Sequence, residues 1–240
     1  MAEDLRSLFS SLSELAQLGP LPVQAYSMVA QRHSSEALAE HLHQRWMADA
    51  RFAPVAASII LHIHRTEEKG MGLSSCVLAL LLNDYRSRLE VRAQSPLMFR
   101  NCVKTLFAMY PVYEQIDQCV SKCFVKPMFS SLDLLIDNSP EVDDIETVGV
   151  LLSENGHKLN GLNSYRLDSL VVKVRARMCE DGISPDIRRI LLHVNDLWAF
   201  GWSELLIPDS LSMPYREIQD KPIRKNDIEK QEFGSKESIV

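Results

Sequence analysis

The chain has 240 residues, 46% of them hydrophobic and 24% charged, with a net charge of −6. That length holds one large domain or two small ones around a sizeable core, and the acidic balance argues against a generic polyanion binder, leaving RNA as a secondary partner. No apolar run approaches the ~20 residues of a membrane span, so no membrane partner is expected.

Met1-Ala2-Glu3-Asp4 lacks the basic flank and apolar stretch of a secretory signal. A cytoplasmic location is expected, with the nucleus as a second compartment. Five scattered cysteines, Cys76, Cys102, Cys119, Cys123 and Cys179, fall among apolar helical positions. They read as small buried hydrophobes in a reducing environment.

In chain order, Leu5, Leu8, Phe9, Leu12 and Leu15 make one amphipathic helix ended by Gly19-Pro20, so residues 1–20 read as a helix that caps the first repeat. Helix starts then recur at Ser35, Pro54, Ser75, Ser95-Pro96, Asp143, Ser164 and Ser184-Pro185. The intervals are about twenty residues, with one gap of twice that length. The gap holds two further apolar helices, around Val112–Phe124 and Met128–Ile136. Each segment carries a stripe at helical spacing: Leu38, Leu42 and Trp46; Val55, Ile59, Ile60 and Ile63; Leu78, Leu81, Leu82 and Tyr85; Phe99, Val103, Leu106 and Phe107.

Nothing alternates for long enough to demand a strand. Helices of this length taken in pairs have the period of a solenoid, so the expected fold is all-α: a HEAT/armadillo-like solenoid of antiparallel helix pairs over residues 21–207. Residues 208–240, polar and mixed in charge, read as a mostly disordered tail.

Enzyme signals are missing from the sequence. Gly70-Met71-Gly72 lacks a third glycine and a preceding strand, and reads as a turn between helices. There is no Walker loop, His-Glu-x-x-His or Gly-x-Ser-x-Gly. His41/His43 and His62/His64 are two apart, on different faces of a helix, which disfavours a shared metal. One member of each pair is expected to face solvent. Cys119 and Cys123 lie one turn apart, without further ligands at zinc spacing. No catalytic residue, metal or cofactor is expected.

Two stretches carry a resemblance. Glu141-Val142-Asp143-Asp144-Ile145-Glu146 opens a helix that runs to Gly156-His157-Lys158-Leu159. Downstream, Ser184, Ile187-Arg188, Leu191 and Asp196-Leu197 lead to Trp202, with Ile187, Ile190, Leu191, Val194, Leu197 and Trp198 on one apolar face. These stretches, with Phe52-Ala53-Pro54-Val55-Ala56-Ala57 matching more weakly, resemble the middle domain of translation initiation factor 4G and its small relatives. The resemblance spans roughly residues 45 to 205 and is diffuse, not a catalytic signature. After Trp202 the chain departs from the family, since Ser203-Glu204-Leu205-Leu206 replaces a basic or polar run.

The resemblance implies a non-catalytic scaffold in messenger-RNA translation. Such a protein would bind a DEAD-box RNA helicase and tether it to cap-, tail- or stem-loop-bound messenger-RNA proteins. The alternative is a helical-repeat adaptor of an unrelated assembly, such as messenger-RNA decay or transport; a homodimer is compatible with either. Asp144, Glu146, Arg188 and Asp196 are the family-matching polar positions, each equally readable as an internal cap or salt bridge. Tyr165, Leu170 and Val171 fit a Tyr-x-x-x-x-Leu-apolar docking pattern, but the neighbouring stripe explains the last two better.

Arg86, Arg88 and Arg92, then Arg175 and Arg177, concentrate positive charge on successive helices. With Arg188 they form the candidate partner-binding set, on the reasoning that stacked repeats align equivalent faces into a ridge.

Overall fold

Ser34, Ser95 and Ser184 each accept a hydrogen bond from the backbone amide three residues on, at 3.1, 3.2 and 3.3 Å. Ser95 and Ser184 are therefore working N-caps, and the start expected at Ser35 is capped one residue earlier, by Ser34. The computed structural model describes residues 7, 8, 11, 12, 23–67, 70–137 and 140–211.

Its helices are α1 Val23–Ala30, α2 Ser35–Ala48, α3 Ala53–Thr66, α4 Gly70–Arg86, α5 Arg88–Gln94, α6 Pro96–Ile116, α7 Gln118–Ile136, α8 Val142–Met178 and α9 Pro185–Ala199. Short 3₁₀ turns occupy Ala50–Phe52 and Glu204–Leu206. No strand occurs among the described residues, and no helix there is long and apolar enough to cross a membrane.

α8 is two segments. Asn163, extended at φ −164° and ψ 89°, separates α8a (142–162) from α8b (164–178). Its side-chain oxygen accepts from the Arg166 amide at 3.0 Å, capping α8b. The start expected at Ser164 is thus real, with the cap one residue earlier.

Cross-helix contacts give the register. Ser35 lies beside Gly72 and His43 bonds Asp84, so α2 and α4 run parallel. On α6 and α8a, Arg100 meets Asp144 and Glu114 meets Lys158, again parallel. α7 and α8b pair in the same sense, through Arg166 with Asp133 and Lys173 with Asp137. α3 lies along α6, and α8a along α9. Because chain neighbours reverse at short turns, the result is two layers. One holds α2, α4, α7 and α8b; the other holds α3, α6, α8a and α9. This is the architecture of an all-α HEAT-like solenoid of antiparallel pairs.

Between the layers lies a continuous core that includes Trp46, Ile59, Ile60, Ile63, Phe99, Tyr113, Phe129, Leu152 and Leu191. At the amino end Leu8 and Leu12 are helical and buried in the same core. The rest of the expected helix over 1–20, and residues 212–240 of the expected tail, lie outside the described residues.

Several expectations shift. The helix pair read around Val112–Phe124 and Met128–Ile136 breaks instead at Asp117, an extended residue whose carboxylate caps the amides of Cys119 and Val120. Pro111 and Pro127 are absorbed inside α6 and α7. α4 starts at Gly70, five residues before Ser75, because Gly70 passes directly over the α3 backbone at His64, where a methyl group would overlap it. Its buried stripe is therefore Leu73, Val77 and Leu81, with Leu78, Leu82 and Tyr85 only half-buried. Val55 faces outward.

Of the cysteines only Cys102 is buried; Cys76 is half-buried and Cys119, Cys123 and Cys179 are exposed. The last three sit at helix ends and on an outer face, where periodicity says little. His41 is buried and His43 half-buried, so neither member of that pair faces solvent.

Candidate protein-docking surface

Parallel helices within a layer place like ends on one edge of the solenoid. Arg86 ends α4, Arg88 and Arg92 lie on α5, Arg175 and Arg177 fall in the last turn of α8b, and Arg188 lies in the first turn of α9. All six reach the edge where α4, α7 and α8b finish and α8a and α9 begin. Arg86, Arg92, Arg175 and Arg177 fall in last turns, where the backbone dipole favours a cation, whereas Arg88 and Arg188 fall in first turns, where it does not.

Two of these six guanidinium groups, those of Arg92 and Arg177, turn inward. Arg92 donates to the Leu134 carbonyl and to Asp144 at 3.2 Å. Arg177 donates to the Ile136 carbonyl at 2.9 Å and pairs with Glu180 at 2.6 Å. Two arginines from different helices thereby satisfy the last carbonyls of α7, which have no intrahelical donor. Arg175 lies over the Trp198 ring at 4.5 Å and donates to Asn195 at 2.7 Å. Arg188 donates to the Glu180 carbonyl at 3.3 Å. Arg88 stacks on Tyr85 at 4.4 Å. Arg86 is exposed, with no ion pair among the described residues. The expected bare ridge is therefore a partly neutralised edge, on which Arg86, Arg175 and Arg188 remain exposed and Arg88 half-exposed.

Beside that edge lies a buried node that the sequence did not place. Asp144, 1% exposed, accepts from Arg100 at 2.9 Å and from Arg92 at 3.2 Å, and closes a capping box with the Glu141 amide at 3.3 Å. Arg100 also pairs with Glu141 at 2.8 Å and Asp143 at 3.2 Å. Burial works to lower its pKa, but hydrogen bonds to Glu141 and Asp144 and the surrounding carboxylates outweigh that and raise it. Arg100 stays charged, and the acidic start of α8a is a structural clamp. Two further groups of the resemblance are also internal. Lys158 pairs with Glu114 and sits over the Tyr110 ring at 4.8 Å. Gly156 receives the Trp202 ring, which any side chain at that position would overlap.

Trp202 is aimed there by the end of α9. Gly201 at φ 66° takes the left-handed conformation, the Gly201 amide bonds the Trp198 carbonyl, and the Trp202 amide bonds the Leu197 carbonyl. That is a Schellman closure. Gly149, two turns before Gly156 on the same face, lies against Ile190. The glycine pair lets α9 approach α8a closely. Trp198, expected to lie in the core, is half-buried at the seam between α8b and α9, donating its indole N–H to Asp168 at 2.8 Å. Glu146 is exposed. Tyr165 points to solvent while Leu170 and Val171 are buried, so the three positions of the docking pattern face opposite ways. Among the described residues no three His, Cys, Asp or Glu side chains gather as metal ligands.

Fold and edge together define a helical-repeat protein whose recurring polar motifs brace one repeat on the next. Comparison with known proteins agrees with the resemblance. MIF4G domain-containing proteins of Homo sapiens and Bos taurus are each 24% identical to this chain over 180 residues, covering 72% of it and 80% of the relative. The initiation factor 4G middle-domain family that the sequence resembles is thus the family those relatives are named for. No family model matches the chain.

Proposed function

We propose that this chain is a non-catalytic scaffold of messenger-RNA translation, one that binds a DEAD-box RNA helicase and holds it near messenger-RNA-bound proteins in the cytoplasm. The observation that carries the reading is the similarity to MIF4G domain-containing proteins over 72% of the chain. The internal roles of Asp144, Gly156, Lys158 and Trp202 support it, because the matching residues are those that set the stacking of repeats. The mechanism is effective concentration: once one partner is held, meeting the second becomes intramolecular.

On this reading the helicase meets the edge bearing Arg86, Arg88, Arg175 and Arg188, and RNA contributes little. The test is a titration of a purified DEAD-box helicase against the chain, followed in rising salt. Saturable binding that weakens gently with salt supports the proposal. Absence of binding while the chain captures decay or transport components would favour an adaptor of another assembly. A steep salt dependence shared by RNA alone would mean direct RNA binding.

A further inference from the structure

The seam between α2 and α4 opens on its outer side into a groove of about 430 Å³. Cys76, Ala79, Leu80 and Asn83 line its α4 side at the i, i+3, i+4, i+7 spacing of one helix face, and Glu36 and Glu40 stand one turn apart on α2. Small side chains keep the floor shallow enough for another backbone to come near, and an apolar stripe at this spacing is the receiving half of helix-in-groove recognition.

Charge selects the occupant. Within this seam Asp84 already bonds His43, and the seams of the other half pair Glu114 with Lys158, Asp133 with Arg166 and Lys173, and Asp144 with Arg92 and Arg100. Glu36 and Glu40 have no cationic partner among the described residues; Glu40 only accepts from Gln44 at 3.4 Å. The Cys76 thiol is pushed up by burial and then by the Glu36 carboxylate, so that charge bears on the groove itself. The cleft where α3, α6 and α8a meet differs, because Arg51 there is paired with Asp49 and Lys104 is matched by Glu154, which leaves no net sign to recognise.

We infer that the α2–α4 groove docks a basic amphipathic helix of a protein partner, its apolar side on Leu80 and Ala79 and two cations one turn apart on Glu36 and Glu40. The groove ends at Asn83, one turn before Arg86 on α4, and shares no lining residue with the arginine edge. A chain with both surfaces has two docking points of opposite charge.

The probe is a fluorescein-labelled synthetic helix with leucines at i, i+3, i+4 and i+7 flanked by lysines, and a control with glutamates in place of the lysines. Binding is read by anisotropy on the full chain. Location is read by the alkylation rate of Cys76, with exposed Cys119, Cys123 and Cys179 as internal controls.

The lysine helix should bind saturably, slow alkylation of Cys76 alone, and lose on the order of tenfold in affinity when Glu36→Lys and Glu40→Lys are combined. Ala79→Arg, which fills the groove without touching the core, should act in the same direction. Equal binding of the glutamate helix, or unchanged Cys76 alkylation at saturation, overturns the inference. Two further outcomes overturn it by naming another occupant. Protection of Cys76 that grows with the concentration of the chain alone would mean a second copy. Faster alkylation after removal of residues 212–240 would mean the chain's own tail.

Discussion

The two ends of the solenoid are held together by different physics. From α1 to α4 the repeats meet through apolar faces, with Leu38, Leu42, Trp46, Ile59, Ile60 and Ile63 all buried. His43 bonds Asp84 at 3.0 Å across the α2–α4 seam. From α5 to α9 the seams are cross-braced: Arg92, Arg100, Lys158, Arg166, Lys173 and Arg177 each bridge to a neighbouring helix. Apolar packing is indifferent to direction, whereas paired charges fix register, which suits a half whose helices must align their ends on one edge. The same difference explains why the α2–α4 seam keeps unpaired carboxylates beside an open groove.

The largest effect should come from unbalancing the brace. Asp144→Ala leaves Arg100, 7% exposed, with only the surface carboxylates Glu141 and Asp143, and removes the capping box of α8a. Loss of one partner from a buried pair costs roughly 3–5 kcal/mol. Chemical denaturation should show a loss of that size. A loss near the ~0.5 kcal/mol typical of surface sites would mean that the node does not brace the repeats.

Next in size is the close approach of α9. Gly156→Ala pushes a methyl group into the Trp202 ring, and overpacking of this kind costs roughly 1–3 kcal/mol. Because the obstacle is one ring, the double variant with Trp202→Ala should cost less than the sum of the singles, and unfolding of the four proteins measures that coupling. Additive losses would place the strain elsewhere.

The apolar half should instead be the pH-sensitive one. His41, buried on α2 near the Tyr26 ring and Arg45, has its pKa lowered from 6.5 to about 4, first by burial and then by the arginine charge. The folded state thus holds this imidazole neutral while the unfolded chain takes up a proton. Its stabilising contribution is complete above pH 6.5 and is lost as pH falls from there toward about 4. His193 on α9 is lowered in the same direction by burial, opposed by Glu204 and Asp196. The melting temperature should fall over this range, and His41→Gln should flatten the profile more than His193→Gln. The reverse order would put the pH-sensitive site in the braced half.

Much of this layout was legible beforehand, and the exceptions have physical causes. Ser95 and Ser184 announce helices because a hydroxyl before an apolar period has one good use, and Ser35 misses its cap, Ser34, by one residue. The break at Asp117 was missed because Pro111 and Pro127 look like stronger punctuation than a single aspartate, yet each sits in a helix flanked by packed neighbours. Depth on α4 was misread because its start depends on a glycine sliding over α3, a tertiary contact. The clustering of Arg86, Arg88 and Arg92, and of Arg175 and Arg177, is visible in the sequence, and Arg188 joins them through the resemblance. The inward turn of Arg92 and Arg177 is not, because it depends on the unsatisfied carbonyls at the end of α7, which no local pattern displays. The groove went unseen for the same reason, since it exists only where two helices distant in sequence lie side by side.

The smallest effect on stability, and the most informative for function, divides the arginine edge itself. Arg92 and Arg177 hold carbonyls of α7 and pair with Asp144 and Glu180. Reversing either to glutamate should destabilise the fold as well as any complex. Among the described residues Arg86 and Arg88 make no hydrogen bond or ion pair beyond their own short stretch, Arg88 donating to the Tyr85 carbonyl at 2.9 Å. Arg86→Glu with Arg88→Glu should therefore shift stability by under about 0.5 kcal/mol. If this edge meets a helicase or another acidic surface, the pair should weaken that complex mainly through association rate. The deficit should then shrink as salt rises, because rim charges steer encounter and are screened. Stopped-flow association at two ionic strengths, beside thermal unfolding of the same proteins, separates the cases. Unchanged association at low salt by a folded double variant would leave the two arginines as dipole compensation at the end of α4 and nothing more.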